Sequence, residues 1–309
     1  MRFLIAGGAG YRGSILTPTL PEKGQQVTVL YTFARGSTER ASRKRYRDFT
    51  PGRGDARNEG LLYALVPKAD VIIPLAALVG APLCMQDPIP ARTLNQDAVE
   101  KIVKRVPANQ MFVYPTTNSG CGIGVAGQFC TEEIPVNPLS IYGVTKIASE
   151  NAVPEKNGIY SRLATVFGTS LRMRINLLVN DFIWRTGTDR AVVIFQGHFK
   201  RNYIHLRDVV KGFLHGIENH DSVAGRAYNR GLSSANLSKL GLCSTIEAHV
   251  PNSVFLEVQI GEDPDKRDYI ASNQRLEDTG WSPHWDLDRG IRELLSGYRM
   301  LRDSVYSNI

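Results

Sequence analysis

The stretch Phe3-Leu4-Ile5-Ala6-Gly7-Gly8-Ala9-Gly10-Tyr11-Arg12-Gly13 decides the fold of this chain. Its four leading apolar residues indicate a parallel strand that is buried on both faces. Gly7, Gly10 and Gly13 allow a tight turn and a close backbone approach to a ligand, and a helix is expected to begin near Gly13. Strand, glycine turn and helix in this order predict a seat for the pyrophosphate of a dinucleotide.

Apolar runs alternate with helical segments over the first half of the chain. The strand candidates are residues 27–30, 71–76, 111–114 and 161–167, and helical content is clearest over 91–106. This alternation predicts an α/β fold with a Rossmann-type, doubly wound parallel sheet. We expect residues 1–165 to form a dinucleotide-binding domain. Residues 166–309 are expected to form mainly a smaller C-terminal substrate-binding domain, with segments that return to the first.

The second half shows further elements and no flexible linker before them. A helix is expected over 176–184, a strand over 192–195, and helices over 207–219 and 287–300. Because no Pro/Gly/Ser-rich stretch marks the boundary, the two domains are expected to share a cleft.

The net charge of +7 permits several kinds of partner. Basic residues crowd one stretch after the second strand, namely Arg35, Arg40, Arg43, Lys44, Arg45 and Arg47. Such a run usually lies on a solvated surface. The second interpretation is that its positive charge attracts a phosphorylated small molecule. No DNA- or RNA-binding module is recognisable, so no nucleic-acid partner is expected.

No membrane segment or metal centre is expected. The longest apolar stretch, residues 71–84, contains Pro74, Gly80 and Pro82 and is too short to span a bilayer. The four cysteines form no C-x-x-C motif, which argues against structural zinc. They are Cys84, Cys121, Cys130 and Cys243. We interpret them as reduced, mostly buried thiols of a cytoplasmic protein.

Tyr142-Gly143-Val144-Thr145-Lys146 places a phenol and an ammonium four residues apart, on one face of a helix. A free phenol has a pKa of ~10, so bringing it near neutrality takes roughly 4 kcal/mol. A neighbouring ammonium and an oxidised nicotinamide are expected to supply that energy. After the glycine turn, the pair predicts a nicotinamide enzyme in which Tyr142 transfers the proton.

The second strand is followed by Tyr31, where a dinucleotide-binding fold normally has an acid for the ribose hydroxyls. The next carboxylate, Glu39, lies well past the strand end. Without the acid, a ribose 2′-phosphate is not repelled, and Arg35 is available to pair with one. The sequence therefore leaves NAD and NADP equally open.

Polar side chains elsewhere offer a place for the substrate. Thr117, Asn118 and Ser119 follow a strand end, where ligands bind in doubly wound folds; they equally suit capping of the turn backbone. Arg201 and Arg267 suit a diphosphate or a surface salt bridge. His205 is interpreted as a packed, hydrogen-bonded residue.

These residues resemble the extended short-chain dehydrogenase/reductase family, the NAD-dependent nucleotide-sugar epimerases and dehydratases, over almost the whole chain. The resemblance implies a catalytic trio of Thr117, Tyr142 and Lys146, and places Asn176, Arg201 and Arg267 on the substrate side. It also implies that Gly7, Gly10 and Gly13 form the cofactor turn, that Asp55 meets the adenine, and that Leu75-Ala76-Ala77 lies beside the cofactor. Arg12 departs from the family, which has an apolar residue there. The whole predicted cofactor set is Gly7, Gly10, Tyr11, Arg12, Gly13, Arg35, Asp55, Ala56, Leu75, Ala76, Ala77 and Lys146.

Within that family, residues 72–84, 162–167, 180–182 and 261–267 resemble the GDP-glycero-manno-heptose dehydrogenase group. This resemblance favours a GDP-sugar substrate, and the family implies a homodimer through helices around 91–106 and 142–152. The family's dehydratases carry two acids after the catalytic threonine. Here these positions are Asn118 and Ser119, which cannot readily move the protons of a dehydration.

The sequence accordingly predicts hydride transfer from a sugar carbon, most naturally C4. If the keto sugar leaves, the enzyme is a dehydrogenase; if it is re-reduced on its other face, the enzyme is a C4 epimerase. A regulatory protein that binds the dinucleotide without catalysis is the alternative of another class. The intact trio argues against it.

Overall fold

The computed structural model describes residues 1–32, 49–153, 157–258 and 267–300. Its central sheet consists of β1 (Arg2–Ala6), β2 (Gln26–Tyr31), β3 (Phe49–Arg53), β4 (Val71–Pro74), β5 (Met111–Thr117), β7 (Gly158–Leu163) and β11 (Arg226–Arg230). Their order is β11-β7-β5-β4-β1-β2-β3, and every pairing is parallel. The predicted doubly wound sheet is thus confirmed.

The helices of the described residues pack around this sheet and the smaller sheets. They are α1 (Gly13–Glu22), α2 (Glu59–Leu65), α3 (Ala81–Gln86), α4 (Pro88–Arg92), α5 (Ala98–Val103), α6 (Ile141–Ala152), α7 (Leu178–Thr188), α8 (Leu206–Glu218), α9 (His220–Val223), α10 (Lys239–Glu247), α11 (Gln274–Glu277) and α12 (Leu287–Tyr298). Among them no helix is long and apolar enough to cross a membrane.

The first strand shows why a continuous apolar run is needed at this position. Phe3 and Ile5 pack into the core on one face of the sheet, whereas Leu4 and Ala6 pack into the core on the other. Burying a large apolar side chain stabilises the fold by about 1.5–3 kcal/mol. Both faces of β1 contribute in this way because helices cover the sheet on both sides.

Three small sheets lie outside the central sheet, and most of their strands belong to the second half of the chain. They are β12 (Asn236–Ser238), β10 (Lys200–His205) and β8 (Thr165–Phe167); β13 (Val254–Val258) and β9 (Ala191–Phe195); and β14 (Ile270–Ala271) and β6 (Phe129–Cys130). Strand β11 joins the central sheet from beyond residue 165. The predicted domain boundary stays a prediction.

Two predicted elements differ from the structure. The single strand over 161–167 is wrong, because β7 ends at Leu163 and β8 pairs with β10 in another sheet. β7 is mostly buried and β8 is partly buried, so apolar residues continue across the break and conceal the change of sheet. The helix over 91–106 is divided into α4, a π-helical turn (Thr93–Asp97) and α5. Within that turn, Asn95 bonds the backbone of Leu78.

The interpretation of all four cysteines as reduced thiols is also wrong. Cys121 and Cys130 form a disulfide, while Cys84 and Cys243 are free and buried. Cys121 ends a 3₁₀ turn (Asn118–Cys121) after β5, and Cys130 lies in β6. The fold brings their Cα atoms to 6.2 Å, within the range that a disulfide requires. A separation of nine residues has no sequence signature, so the pairing was not predictable.

Replacing Cys121 and Cys130 by serine is expected to lower the free energy of unfolding by about 3 kcal/mol. The bridge closes a short loop, and loop entropy in the unfolded chain accounts for a stabilisation of this size. Denaturant unfolding of the double variant against the oxidised wild type measures the change. Dithiothreitol should lower the wild-type value similarly and leave the variant unchanged; an equal effect on both proteins would contradict the assignment.

Candidate active site

The glycine turn lies where the strand order reverses, at the carboxyl ends of β1 and β4. The amides of Leu75 and Ala76 both donate to the Ala6 carbonyl oxygen at 2.7 Å. Gly7 has a φ of +86°, and a Cβ there would lie 2.5 Å from the Ala76 nitrogen. A Cβ at Gly13 would lie 2.5 Å from the Gly8 carbonyl. The turn therefore accepts only glycine at these two places.

This turn fits the phosphates of a dinucleotide. Helix α1 begins at Gly13, and the first N–H groups of a helix have no intrahelical acceptor. Together with the positive end of the helix dipole, they favour a bound anion. The structure thereby brings Gly7, Gly10, Gly13, Leu75 and Ala76 of the predicted cofactor set together; Ala77 follows directly in the chain.

Tyr11, a member of the predicted cofactor set, packs its side chain against residues of the second half of the chain. Its hydroxyl donates to the Gly168 carbonyl oxygen at 2.7 Å and accepts from Asn180 Nδ2 at 3.2 Å. The side chain is buried in the core of the second half, and burial raises its pKa. These hydrogen bonds connect the glycine turn to residues of the second half of the chain, and a contact between Tyr11 and the cofactor stays a prediction.

The structure describes some of the residues that were predicted to lie near the adenine. Asp55 follows β3, and its carboxylate accepts from Arg57 Nη2 at 2.6 Å and from the Arg57 amide at 2.8 Å. The hydrogen bond from the Arg57 side chain lowers the pKa of Asp55. Ala56 beside it is buried. The contact with adenine stays a prediction, and Arg35 lies outside the described residues.

Thr117 and Ser119 form a compact hydrogen-bonded turn at the carboxyl end of β5. Thr117 Oγ1 donates to Ser119 Oγ at 2.9 Å and accepts from the Ser119 amide at 3.0 Å. Arg267 Nη1 donates to the same Ser119 Oγ at 2.6 Å. Asn118 between them is fully buried, and neither polar atom of its amide has a hydrogen-bond partner.

Tyr142 and Lys146 lie on α6 as their spacing predicts. Ser140 caps the helix by accepting from the Gly143 amide at 3.2 Å, which fixes Tyr142 in the first turn. Both side chains are buried, and Lys146 Nζ lies 4.1 Å from the centre of the Tyr114 ring. Such a cation–π contact partly compensates the cost of burying an ammonium group.

Glycines let this helix approach the turn that carries Thr117. A Cβ at Gly120 would lie 2.8 Å from Ile147 Cδ1, and one at Gly143 would lie 3.5 Å from the Ser119 carbonyl oxygen. Residues far apart in sequence, Thr117 and Ser119 on one side and Tyr142 on the other, are thus held on adjacent elements. The catalytic trio predicted from the sequence occupies one region of the structure.

The electrostatic environment of Tyr142 differs from the expected one. Burial raises the pKa of its phenol, whereas the guanidinium groups of Arg12, Arg267 and Arg174 lower it. Burial also lowers the pKa of Lys146 well below its ordinary value; Arg12 lowers it further and Glu150 opposes. Three arginines therefore supply positive charge near the Tyr142 phenol, where the sequence had led us to expect it from Lys146 and the nicotinamide.

Sequence reasoning missed Arg174. Its buried side chain donates to the Val79 carbonyl oxygen at 3.3 Å and to Asn176 Oδ1 at 3.3 Å. Asn176, predicted on the substrate side, is exposed beside it. The segment has no regular secondary structure, so neither periodicity nor a motif marked Arg174.

The remaining residues of interest, which include the predicted substrate-binding Arg201, belong to the second half of the chain. Arg201 is buried on β10 and donates to the Lys200 carbonyl oxygen at 3.0 Å. Asp268, next to Arg267, accepts from the Lys200 amide at 2.7 Å, so the two predicted arginines lie on neighbouring segments. His205 is fully buried and bonded to Glu293 at 2.9 Å, which confirms its interpretation as a packed residue.

Arg12→Gln is expected to raise the pKa of Tyr142, because Arg12 is the strongest of the three cations that lower it. Proton removal requires the phenolate, so the rising limb of kcat/KM against pH should move to higher pH. Initial rates across the pH range check this. Arg185→Gln is the control, since Arg185 is exposed on α7 and paired with Asp181; a shift in both variants, or in neither, would contradict the assignment.

A comparison with known proteins shows the family to which this chain belongs. A profile of the NAD dependent epimerase/dehydratase family matches residues 3–231. The chain belongs to this family; it is an enzyme, and its cofactor is NAD.

Individual relatives are distant but cover nearly the whole chain. UDP-glucose 4-epimerase of Corynebacterium glutamicum is 24% identical, and the alignment covers 93% of this chain and 92% of the relative. UDP-glucuronic acid 4-epimerase of Bacillus cereus, solved with UDP-glucuronic acid and NAD, superposes with a TM-score of 0.83 at 23% identity, over 98% of this chain and all of the other. The NAD complex of dTDP-glucose 4,6-dehydratase from Bacillus anthracis superposes at 0.82 and 17% identity, over 97% and 96% of the two chains.

Proposed function

We propose that this protein oxidises the C4 hydroxyl of a nucleotide-linked sugar. The observation that carries the proposal is the juxtaposition of Tyr142 with the Thr117–Ser119 turn, on elements next to the glycine turn. Bound NAD supplies the acceptor for a hydride from the sugar carbon. Gly7, Gly10, Gly13 and the backbone of residues 75–77 would hold the dinucleotide.

Side chains of the protein carry out the proton transfer in this proposal. Tyr142 Oη, as the phenolate, takes the proton of the C4 hydroxyl and becomes the neutral phenol. The positive charges of Arg12, Arg174 and Arg267 stabilise the phenolate that is needed before the transfer. Thr117 hydrogen-bonds the reacting oxygen. Lys146 Nζ is assigned to the cofactor ribose. Burial of Tyr142 excludes water and strengthens each of these charge interactions.

Re-reduction of the keto sugar on its opposite face makes the overall reaction an epimerisation, which we favour. The two 4-epimerases named above support this choice, and both act on UDP-sugars by name. We therefore put UDP-sugars first as substrates. The GDP-sugar favoured by the finer sequence resemblance remains a prediction. Release of the keto sugar, which would make the enzyme a dehydrogenase, is the second outcome.

Epimerisation is not accompanied by dehydration in this proposal. Asn118 and Ser119 occupy the two positions where the family's dehydratases carry acids. The Asn118 amide is fully buried, and Ser119 is engaged by Thr117 and Arg267. Neither side chain is a carboxyl group that can transfer protons near neutral pH.

The test is turnover of a nucleotide-sugar panel with NAD and with NADP. UDP-glucose, UDP-glucuronic acid and GDP-heptose are incubated with enzyme, and product mass, anomeric NMR signals and absorbance at 340 nm are followed. A product isomer of unchanged mass without net absorbance supports epimerisation. A product two hydrogens lighter, with rising absorbance, supports a dehydrogenase. Cofactor binding without turnover of any sugar would favour the non-catalytic alternative.

We also propose a homodimer through helices α3 to α6. Apolar side chains that these helices leave exposed support it: Met85, Ile89, Ile141 and Val144. Burying them on a second copy would remove apolar surface from water. Sedimentation equilibrium measures the mass in solution and tests the proposal.

A further inference from the structure

The disulfide is attached directly to the turn that follows the predicted catalytic threonine. Cys121 ends this turn, and Ser119 within it accepts a hydrogen bond from Arg267 Nη1 at 2.6 Å. Cys130 lies in β6, at the far end of residues 122–129, which we call the disulfide loop. The bridge therefore fastens the two ends of this loop together beside the candidate site.

The disulfide loop and β6 contact residues 267–271, which we call the Arg267 segment. The Gly124 amide donates to the Asp268 carbonyl oxygen at 2.8 Å. After the loop, β6 pairs in parallel with β14, and the Ser272 amide donates to the Cys130 carbonyl oxygen at 3.2 Å. Both ends of the bridged region thus hold the segment that begins with Arg267.

The Arg267 segment is held from its other side by different residues. The Asp268 carboxylate accepts from the Lys200 amide at 2.7 Å, next to Arg201 on β10. The Ala271 amide donates to Asn236 Oδ1 at 2.8 Å. Opening the disulfide would therefore loosen one side of the segment and leave the other side attached to the fold.

The bridge is accessible to a reductant on one side. Cys121 is partly exposed, Cys130 is buried, and most of the disulfide loop faces solvent. A thiolate of a dithiol attacks the Cys121 sulfur and forms a mixed disulfide, and the released Cys130 thiolate takes a proton. The second thiol of the reductant then displaces Cys121. Two electrons and two protons pass to the protein, which gains two thiols, and the dithiol becomes a disulfide.

We propose that the Cys121–Cys130 disulfide is a thiol–disulfide exchange site that controls the affinity for the nucleotide sugar by fixing the position of the Arg267 segment. The proposal rests on the proposed function and on the substrate contact that the sequence predicts for Arg267. In the oxidised protein the closed loop holds the segment. In the reduced protein the ends of the loop separate, and Arg267 occupies its binding position for a smaller fraction of the time.

The chemical step should depend less on the bridge than substrate affinity does. The turn after Thr117 has its own attachments, since the Asn137 amide donates to the Gly120 carbonyl oxygen at 2.7 Å and Gly120 packs closely on Ile147 of α6. Reduction should therefore change kcat by less than about threefold. It should raise KM and the Kd of the free nucleoside diphosphate about tenfold, as expected when a charged hydrogen bond is weakened.

The test compares the oxidised and reduced forms of the NAD-loaded enzyme. Thiols counted after denaturation should number two in the oxidised protein, Cys84 and Cys243, and four after dithiothreitol. UDP and GDP are titrated into both forms, and initial rates are measured with the best panel substrate. Weaker binding on reduction that reoxidation restores supports the proposal. KM and Kd values within about twofold in the two forms, or four thiols after equilibration with oxidised glutathione, would overturn it.

Two sets of variants separate the bridge from general stability. The double variant Cys121→Ser with Cys130→Ser should bind as the reduced wild type does and should not respond to dithiothreitol. Ile217→Ala is the destabilised control, because Ile217 is buried on α8 beside Gly216, which faces the amino end of β7, away from the site. Its nucleotide affinity should stay within about twofold of wild type. Equal weakening in this control would assign the effect to lost stability and reject the proposal.

Hydrogen exchange judges the bridge without ligand or turnover. The amides of Gly124 and Ser272, which connect the bridged region to the Arg267 segment and its end, should exchange about tenfold faster after reduction. The Asn137 amide should be unchanged. If the wild type turns over no nucleotide sugar, the proposed function fails while this measurement still stands. Equal exchange at Gly124 and Ser272 in both forms would show that the bridge does not hold the segment.

Discussion

Tyr142→Phe is expected to lower kcat by about 10²- to 10⁴-fold, the range typical of losing a general acid or base. The substitution removes one oxygen from a buried side chain on α6 and leaves its ring in place among Cys84 and Ala91. The free energy of unfolding should therefore change little, and NAD binding should persist. Turnover of the best panel substrate and calorimetric titration with NAD measure the two effects.

Tyr228→Phe is the matched control for this prediction. Tyr228 is also buried, but it lies on the edge strand β11. Its loss of a hydroxyl should leave kcat within about twofold, as expected for a side chain that does not act in the reaction. Full turnover by Tyr142→Phe would remove Tyr142 from the mechanism, and with it the proposed reaction.

Gly7→Ala is expected to destabilise the fold by about 3 kcal/mol or more and to abolish measurable NAD binding. The added Cβ meets the Ala76 backbone at 2.5 Å, and the φ of +86° is unfavourable for any side chain. The clashing atom is backbone and cannot rotate away. Relieving the contact has to separate the ends of β1 and β4, where the dinucleotide would bind. Denaturant unfolding and NAD titration measure both losses.

Gly24→Ala separates the effect of backbone conformation from the effect of the clash. Gly24 has a similar φ of +72°, but a Cβ there meets no atom within 4 Å. Its replacement should cost about 1–2 kcal/mol and leave NAD binding intact. An equal loss of stability in both variants would mean that φ alone, rather than contact with Ala76, makes glycine necessary at position 7.

The central fold was predictable from local pattern because its decisive features are local. The run Phe3–Ala6 must be apolar throughout to be buried on both faces, and the three glycines follow it at a fixed spacing. The edge strand β3 was not predicted. It lies next to the basic stretch, and it contains Pro51 and Gly52, which are unusual in a strand.

The candidate site was predictable only for residues that belong to a motif. Tyr142 and Lys146 share a helix face, and Thr117 follows a strand end, so each carries a recognisable context. Arg174 lies in an irregular segment, and the Cys121–Cys130 disulfide joins a 3₁₀ turn to a two-residue strand, so neither has such a context. Tyr11 lies within a motif, but its hydrogen bonds to Gly168 and Asn180 were not predictable, because the motif specifies backbone shape and not side-chain direction.

The sequence by itself determined the parallel sheet and the glycine turn, and it predicted Tyr142 as the proton-transfer residue, because each of these features depends on residues within one short segment. Only the tertiary structure decided which charges surround that tyrosine. Arg12, Arg174 and Arg267 lie far apart in the sequence, and they meet around Tyr142 because the second half of the chain folds back across the ends of the strands. Electrostatic interactions depend on distance in space, which local sequence patterns do not encode.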